Sequence, residues 1–418
     1  MAAALAARTV DLEHGLTTSI ARPRQDGTVT IPEVLRSAAQ AVPVLPEIRI
    51  ARPSRPVTAR WSQLAVSPAR DTFLGISFRP LQAAALGLDP RTALDDLLAY
   101  PFPLIRLAAY WNRLAPERGE LHAGELDAAL DAAVGAGKQI ILCVGAVKAF
   151  GYPEFFVPSY ELPEPLPEGR LIGPMSHPGL AAAAASFAGR VVERYRGRPE
   201  IVAWQVEHEP VDPLGMEHSW RLSANFVQQE VAAVRAADPS RPVILTGFVP
   251  TSTAVRLQQA WRTRDQGDSL AVAGQLAEIV GLNFYPRHGL VRLGSRTAYL
   301  AGSQSRWQLR ANARLTARLA SLGRRLLVTE GQAEPWETVT TPPSPPGRAM
   351  YSCLPEHVIS NYNAALQLGA VAPGGLWAYL FWGAEYWLKR RMQGDDSYLA
   401  AFERVLAESQ AGHRTRSR

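Results

Sequence analysis

Cysteine and long apolar runs are scarce in this chain, and each shortage excludes a class of protein. The 418 residues contain only two cysteines, Cys143 and Cys353, which are too few for a disulfide framework or a Cys-rich metal site. No run approaches the roughly 20 apolar residues of a transmembrane helix, so no membrane span is expected. The first residues also lack the charged and apolar segments of a signal peptide, which favours the cytoplasm and otherwise leaves the localisation open.

Lysine is nearly absent, since Lys138, Lys148 and Lys389 are the only three. The net charge of +6 and the pI near 9.5 therefore come almost entirely from arginine. The arginines are dispersed except in residues 22–60 and in the C-terminal "HRTRSR", and neither segment interleaves aromatic residues as a nucleic-acid surface does. No nucleic-acid partner is predicted, and the 47% hydrophobic and 20% charged content is typical of a soluble globular protein.

The chain divides into three parts by composition. Residues 1–70 contain a Pro- and Arg-rich stretch and one helical candidate, "IPEVLRSAAQAV", and are predicted to form an N-terminal extension or arm that is partly irregular. Over residues 71–410, short apolar runs alternate with longer helical patterns, which indicates parallel β/α units. Residues 411–418 form a basic tail.

Eight apolar runs are predicted to be strands. They are "TFLGISF" from Thr72, "LIRLAAY" from Leu104, "QIILCVG" from Gln139, "IVAWQVE" from Ile201, "VILTGF" from Val243, "EIVGLNFY" from Glu278, "LLVTE" from Leu326 and "GLWAYLFW" from Gly375. Several are apolar throughout, as expected of parallel strands that are buried on both faces. With the helical segments between them, they predict a (β/α)8 TIM barrel. A doubly wound open sheet is the alternative, but its first strand is usually followed by a Gly-rich phosphate turn, and "GISFRP" offers none.

Polar and aromatic residues recur where the predicted strands end. In a (β/α)8 barrel these ends share the C-terminal face, where catalytic residues collect. The candidate site residues are Arg106 and Trp111 on the second strand and after it, His208 and Glu209 after the fourth, Asn283 and Tyr285 on the sixth, Glu330 on the seventh with Trp336 beyond it, and Trp382 on the eighth.

Glu209 and Glu330 are the two catalytic candidates. One carboxylic acid can protonate the departing oxygen of a glycosidic bond, while a second carboxylate attacks or stabilises the sugar centre. Aromatic side chains beside them can stack on the apolar faces of sugar rings. The residues therefore favour cleavage of a glycosidic bond, with a carbohydrate as substrate, and Glu207 is interpreted as a supporting residue.

At these residues the chain resembles glycoside hydrolase clan A, the retaining (β/α)8 glycosidases that include cellulases and mannanases. "RYRGRPEIVAWQVEHEP" is similar to the clan motif that ends in the acid/base, here Glu209, and "LLVTEGQAEPW" is similar to the motif of the nucleophile, here Glu330. Arg106 matches the arginine that supports the nucleophile, Tyr285 matches the sixth-strand tyrosine, and Trp382 matches the eighth-strand tryptophan beneath the sugar. The resemblance extends from about Thr72 to Leu388, and the family within the clan is not assigned.

The resemblance implies a double displacement in which two carboxyl groups on the order of 5 Å apart act in turn. Glu330 would attack the anomeric carbon and Glu209 would give a proton to the leaving group, with no metal or organic cofactor required. His208 stands where the clan usually has the asparagine that binds the sugar 2-hydroxyl, although some mannanases carry His there. A substrate with altered 2-hydroxyl geometry is therefore one possibility.

Two other functions remain open from the residues. A zinc-dependent hydrolase could use His208 and His218 beside Glu209, but Pro210 follows Glu209 directly, so the helical HExxH arrangement is absent. A non-catalytic carbohydrate-binding barrel would keep the aromatic residues and lose turnover. No GxSxG elbow or complete phosphate-binding loop is found in the sequence.

Overall fold

The computed structural model of this chain describes residues 47–69, 71–151, 154–212, 220–262, 268–301, 306–336, 344–370, 372 and 375–409. The helical candidate at residues 31–42, His218 and the basic tail lie outside the described residues.

Eight parallel strands close into a barrel in the order in which they occur along the chain. The strands of the described residues are β1 (Ile48–Ala51), β2 (Ser54–Pro56), β3 (Phe73–Ser77), β4 (Leu104–Ala108), β5 (Gln139–Cys143), β6 (Leu171–Ile172), β7 (Ile201–Gln205), β8 (Arg221–Leu222), β9 (Val243–Phe248), β10 (Ile279–Phe284), β11 (His288–Leu293), β12 (Arg296–Leu300), β13 (Arg325–Gln332), β14 (Arg348–Met350) and β15 (Leu376–Trp382). The barrel consists of β3, β4, β5, β7, β9, β10, β13 and β15, with β15 hydrogen-bonded to β3. All eight predicted strands are present, and the predicted TIM barrel is confirmed.

A cluster of aliphatic side chains lies in the barrel interior. It consists of Leu104, Ile141, Ala203, Ile244, Ile279, Leu327, Ala378 and Leu380, all of which are buried. The other face of each strand packs against the surrounding helices, which explains why the strands are apolar at almost every position. Gly75 allows the first two strands to approach closely, because a Cβ at this position would lie 1.9 Å from the Leu104 carbonyl oxygen.

Helices follow the barrel strands and cover the outside of the barrel. Those in the described part of the chain are α1 (Pro80–Ala85), α2 (Pro90–Leu98), α3 (Trp111–Leu114), α4 (Gly124–Gly135), α5 (Pro178–Tyr195), α6 (Ala224–Ala237), α7 (Thr253–Arg262), α8 (Ser269–Leu276), α9 (Arg306–Ser321), α10 (Pro355–Gly369), α11 (Ala384–Met392) and α12 (Ser397–Ser409). Side-chain caps define several starts, since Ser223 accepts a hydrogen bond from the Phe226 amide and Asp268 accepts one from the Ala271 amide. None of the helices among these residues is long and apolar enough to cross a membrane.

Short strands add three small sheets outside the barrel. β1 pairs antiparallel with β12, which forms a hairpin with β11 directly after the sixth barrel strand. β2 pairs antiparallel with β14, and β6 pairs in parallel with β8. A 3-10 helix over Ala59–Gln63 follows β2. The end of the predicted N-terminal extension is therefore hydrogen-bonded to loops of the barrel.

Candidate active site

Two buried carboxyl groups lie where barrel strands end, at the C-terminal face. Glu330 belongs to β13, the seventh barrel strand, and Glu209 follows β7, the fourth, by four residues. Their exposed fractions are 2% and 5%. Isolated buried carboxylates are costly, so the groups that surround each one determine its protonation state.

Glu330 is held by two donors, one on each carboxylate oxygen. The Arg106 Nη2 atom donates to Glu330 Oε1 at 2.9 Å, and the Tyr285 hydroxyl donates to Oε2 at 2.5 Å. Arg106 is itself fixed, because its Nη1 donates to the Thr329 carbonyl at 2.9 Å and its guanidinium lies 3.7 Å from the centroid of the Phe150 ring. A charged donor and a short hydroxyl contact both favour the ionised carboxylate.

Glu209 has a neutral partner. Asn283 Nδ2 donates to Glu209 Oε1 at 2.8 Å, and the Asn283 Oδ1 atom accepts a 2.6 Å hydrogen bond from the Thr329 hydroxyl. Asn283 is also the β10 residue paired with Glu330 in the sheet. This asparagine therefore links the Glu209 side chain to the strand that carries Glu330.

The two carboxyl groups differ in acidity. Burial raises the pKa of Glu209 well above its ordinary value, and the nearby charges of Asp212 and Glu330 raise it further. Burial also raises the pKa of Glu330, but Arg106 and Tyr285 oppose that rise. Glu209 is therefore the weaker acid of the two and keeps its proton to a higher pH than Glu330.

His208 lies beside Glu330. Its Nδ1 atom is 3.4 Å from Glu330 Oε1, and its ring is 5% exposed. Burial and the nearby charges of Arg106 and Lys148 lower the pKa of His208 well below its usual value, so the ring is neutral. A neutral imidazole with one ring nitrogen near Glu330 can donate a hydrogen bond to a ligand hydroxyl or accept one from it.

Aromatic rings surround the carboxylates. Tyr285 stacks on Phe248 with a centroid distance of 5.9 Å and meets the Trp336 ring edge-on at 5.4 Å. The Trp382 ring meets the Phe150 ring edge-on at a centroid distance of 6.1 Å, and the Arg106 guanidinium lies near both rings. Such faces suit the apolar side of a sugar ring, and the predicted contacts Tyr285, Trp336 and Trp382 all belong to this cluster.

Arg79 and two acids form a further buried ion-pair group that the sequence analysis did not find. The Arg79 guanidinium binds Glu334 with its Nη1 at 2.7 Å and Glu385 with its Nη2 at 2.6 Å. It also lies 4.1 Å from the centroid of the Trp382 ring. The three residues follow different barrel strands, so only the closed barrel brings them together.

Trp111 packs apart from the aromatic cluster around the carboxylates, and its role as a substrate contact stays a prediction. It is 3% exposed and is the first residue of α3, so its side chain points outward into the layer between barrel and helices. Its ring stacks on Phe187 of α5 at 5.5 Å. The ring therefore contributes to the packing of α3 against α5.

Within the described part of the chain, no group of three or more His, Cys, Asp and Glu residues could hold a metal ion. His218, the second histidine of the alternative zinc interpretation, lies outside that part.

A comparison with protein families matches residues 103–228 to the glycoside hydrolase 42 model, which is described as beta-galactosidase. The match runs from β4 into α6 and includes Arg106 and Glu209 but stops before Glu330. The predicted resemblance to clan A is confirmed, the match supports a glycosidase, and the family within the clan is not assigned by a match of this length. No curated protein shows significant sequence similarity to the chain.

Solved structures of glycosidases share the fold at low sequence identity. An exo-beta-1,4-mannosidase from Opitutaceae bacterium strain TAV5 is 14% identical, with a TM-score of 0.50, over 82% of this chain and 60% of that one. Xylanase 10B from Thermotoga maritima is 12% identical, with a TM-score of 0.47, over 81% and 96%. A beta-galactosidase from Rahnella sp. R3 is 13% identical, with a TM-score of 0.46, over 78% and 52%. At these identities the likeness concerns the barrel fold.

Proposed function

We propose that the chain is a retaining glycoside hydrolase in which Glu330 is the nucleophile and Glu209 the acid/base. The observation that carries this proposal is that the two buried carboxyl groups have different hydrogen-bond donors. Glu330 receives hydrogen bonds from Arg106 and Tyr285, whereas Glu209 receives one from the neutral amide of Asn283. One acid that stays protonated and one that stays ionised are what double displacement at a sugar requires.

In the first step, the Glu330 carboxylate forms a bond to the anomeric carbon while the bond to the leaving oxygen breaks. Glu209 gives its proton to that oxygen, so the aglycone departs as a neutral alcohol. In the second step, Glu209 takes a proton from water, the water oxygen bonds to the anomeric carbon, and Glu330 is released as a carboxylate. Net retention follows from two inversions.

The substrate contacts of this proposal are the residues that line the two carboxylates. Tyr285, Trp336 and Trp382 supply apolar faces for the sugar, while His208 and Asn283 lie within reach of its hydroxyl groups. Arg106 keeps the nucleophile ionised through its 2.9 Å contact. Oligo- or polysaccharides with a β-linked residue are the substrate class, and aryl β-galactosides, β-mannosides and β-xylosides are the first to assay, because the matched family and the structural neighbours are described by activities on these sugars.

The test uses two variants with opposite expectations. Glu330→Gln removes the nucleophile and is expected to lower kcat by about 10⁴-fold or more on every aryl glycoside that the wild type cleaves. Glu209→Ala is expected to retain activity on a dinitrophenyl glycoside, whose leaving group needs no proton, and to be accelerated by azide. Product stereochemistry, followed by NMR, should show retention in the wild type and the azide adduct in the second variant.

These measurements also distinguish the proposed glycosidase from the alternative, a non-catalytic carbohydrate-binding barrel. That alternative expects sugar binding by calorimetry without turnover by the wild type on any glycoside of the panel. Wild-type rates in Glu330→Gln would overturn the assignment of the nucleophile.

A further inference from the structure

The loop of residues 207–212, which carries Glu209, has an unfavourable backbone conformation. Both Glu207 and Glu209 adopt positive φ angles, 54° and 43°, and neither is glycine. Residues other than Gly, Asn and Asp seldom adopt a positive φ angle, so the surrounding groups must hold the loop in this conformation. The groups that hold it therefore control where the Glu209 carboxyl group points.

Lys148 is the charged group that contacts the main chain of this loop. Its ammonium donates to the Glu209 carbonyl at 2.7 Å and to the Asp212 carbonyl at 3.1 Å. The side chain is fully buried, and the ammonium lies 5.5 Å from the centroid of the Phe155 ring. A buried ammonium that donates hydrogen bonds to two carbonyl groups of one loop fixes the distance between these two carbonyl groups.

Glu207 fixes Lys148 in return. Its carboxylate accepts hydrogen bonds from two consecutive amides, Val147 at 2.8 Å and Lys148 at 2.5 Å. Burial raises the pKa of Glu207, while the hydrogen bonds from these two amides and the charge of Lys148 oppose that rise and favour the ionised carboxylate. Glu230 on α6 is a second buried acid beside Glu207. Burial and the charge of Glu207 raise the pKa of Glu230 well above its ordinary value, so Glu230 is the protonated member of the pair formed by Glu207 and Glu230.

Neutral groups complete the support of the loop. The Thr246 hydroxyl accepts from the Glu209 amide at 3.2 Å, and the Ser269 hydroxyl accepts from the amides of Val211 and Asp212 at 3.0 and 3.1 Å. These contacts hold amide groups, whereas Lys148 holds carbonyl groups. Lys148 and these hydroxyl groups thus hold different peptide units of the same loop.

We propose that Lys148, oriented by Glu207, is a positioning residue for Glu209 as proton donor. This inference rests on the proposed function, since it assigns Lys148 to the proton-transfer step of that reaction. Lys148 fixes the main chain from which the Glu209 side chain extends, and Asn283 then fixes the carboxyl end. A loss of either anchor turns the acid away from the leaving oxygen without affecting attack by Glu330.

The test compares leaving groups in Lys148→Met, which removes the ammonium and keeps a long unbranched side chain. For a phenyl glycoside, which needs a proton, kcat/KM is expected to fall by about 10- to 100-fold, the loss typical of a catalytic group displaced by about 1 Å. For a dinitrophenyl glycoside, which needs none, kcat/KM is expected to fall by less than about 3-fold. Glu207→Gln should show the same selective loss, because it weakens the anchor of Lys148.

Lys138→Met is the matched control. Lys138 directly precedes β5, whereas Lys148 follows this strand, so the two lysines lie at opposite ends of the barrel. The Lys138 ammonium donates to the Tyr100 carbonyl at 2.6 Å and lies 4.5 Å from the centroid of the Phe102 ring. Its replacement removes a similar buried contact far from the site, so the two leaving groups should keep their wild-type ratio.

All rates are expressed per active site, counted by trapping with a 2-fluoro glycosyl fluoride, so that partial misfolding does not imitate the effect. Equal losses on both substrates in Lys148→Met would overturn the positioning role. If Glu330→Gln stays inactive in that case, the proposed function survives and only this inference fails. Wild-type activity in Glu330→Gln would instead overturn both.

Discussion

The protonation states of Glu209 and Glu330 depend on which donors each carboxyl group has. Two charged or strongly polar donors, Arg106 and Tyr285, reach Glu330, and Asn283 reaches Glu209. The carboxylate of Glu330 in turn raises the pKa of Glu209. The charge of Glu330 therefore helps Glu209 to keep its proton.

The pH dependence of kcat/KM should report this pair. Activity on a phenyl glycoside is expected to rise with pH as Glu330 ionises and to fall at higher pH as Glu209 loses its proton. Because the pKa of Glu209 is raised, that alkaline fall should lie well above pH 4.3, roughly the pKa of an ordinary glutamate. The profile is measured as kcat/KM against pH for wild type and for Glu209→Ala.

Glu209→Ala on a dinitrophenyl glycoside should lose the alkaline fall and keep the acid one. An unchanged alkaline limb in this variant would mean that another group carries the proton.

The two carboxyl groups of the proposed mechanism could be located from the sequence because each stands at the end of an apolar run, Glu330 near the end of β13 and Glu209 four residues after β7. Glu209 and Glu330 are the carboxylates at such ends, and a local pattern suffices to find them. Trp111, predicted as a substrate contact, packs against Phe187 of α5, a contact that no local pattern in the sequence indicates. Arg79 was missed because its partners, Glu334 and Glu385, are about 250 and 300 residues away in sequence.

The fourth barrel strand, β7, is hydrogen-bonded to Asp238 and Arg241, which precede the next barrel strand, β9. The Trp204 indole donates to Asp238 Oδ2 at 3.0 Å, and Arg241 binds the same oxygen at 2.5 Å. Arg241 also donates to the Ile201 carbonyl at 2.6 Å. Asp238 ends α6 and therefore joins this helix to the strand that leads into the 207–212 loop.

Asp238→Asn should destabilise the protein in a pH-dependent manner. Although burial alone would raise it, hydrogen bonds from Ser240, Arg241 and Trp204 lower the pKa of Asp238. The ionised side chain therefore stabilises the fold above the unfolded-state pKa of about 3.9, and this stabilisation is lost as the pH falls through the lower folded-state pKa. The variant is expected to lose about 1 to 3 kcal/mol of unfolding free energy at neutral pH and less in acid.

Urea unfolding at neutral and acidic pH measures this effect. Asp131→Asn is the control, because Asp131 is exposed and its ion pair with Arg198 should contribute less than about 1 kcal/mol. A loss in Asp238→Asn that does not shrink in acid would contradict the assigned role of the charge.

The barrel strands were predictable and the small sheets were not, for the same physical reason. A strand that is buried on both faces is a continuous apolar run, and all eight such runs became strands of the barrel. β11 and β12 form a hairpin on the surface of the barrel, and β12 begins with Arg296, which is exposed. Their pairing with β1 depends on the tertiary fold rather than on a local pattern.

The closed barrel gives the site its rigid frame, and residues 47–51 pack beside the site. β1 pairs with β12 from Ile48 to Ala51, and Glu47 accepts hydrogen bonds from the amide and hydroxyl of Thr253 at 2.7 and 2.8 Å. Ile48 and Leu300 also pack with the aromatic cluster that contains Tyr285 and Trp382. The chain before the first barrel strand thus contributes to the wall of the candidate site.

Two truncated proteins, one beginning at residue 47 and one at residue 52, isolate the contribution of β1. Loss of residues 47–51 removes the Glu47 contacts to Thr253 and the partners of β12, so the shorter protein should be less stable by about 2 to 4 kcal/mol, at about 1 kcal/mol for each lost hydrogen bond. Loss of Ile48 also loosens the packing of the aromatic cluster, so KM for the cleaved glycoside should rise several-fold while the alkaline limb of the pH profile stays in place, because Glu209 and its partners are untouched. Thermal unfolding and steady-state kinetics on the two proteins measure both effects. Equal stability and equal KM would show that β1 rests on the barrel without supporting the site.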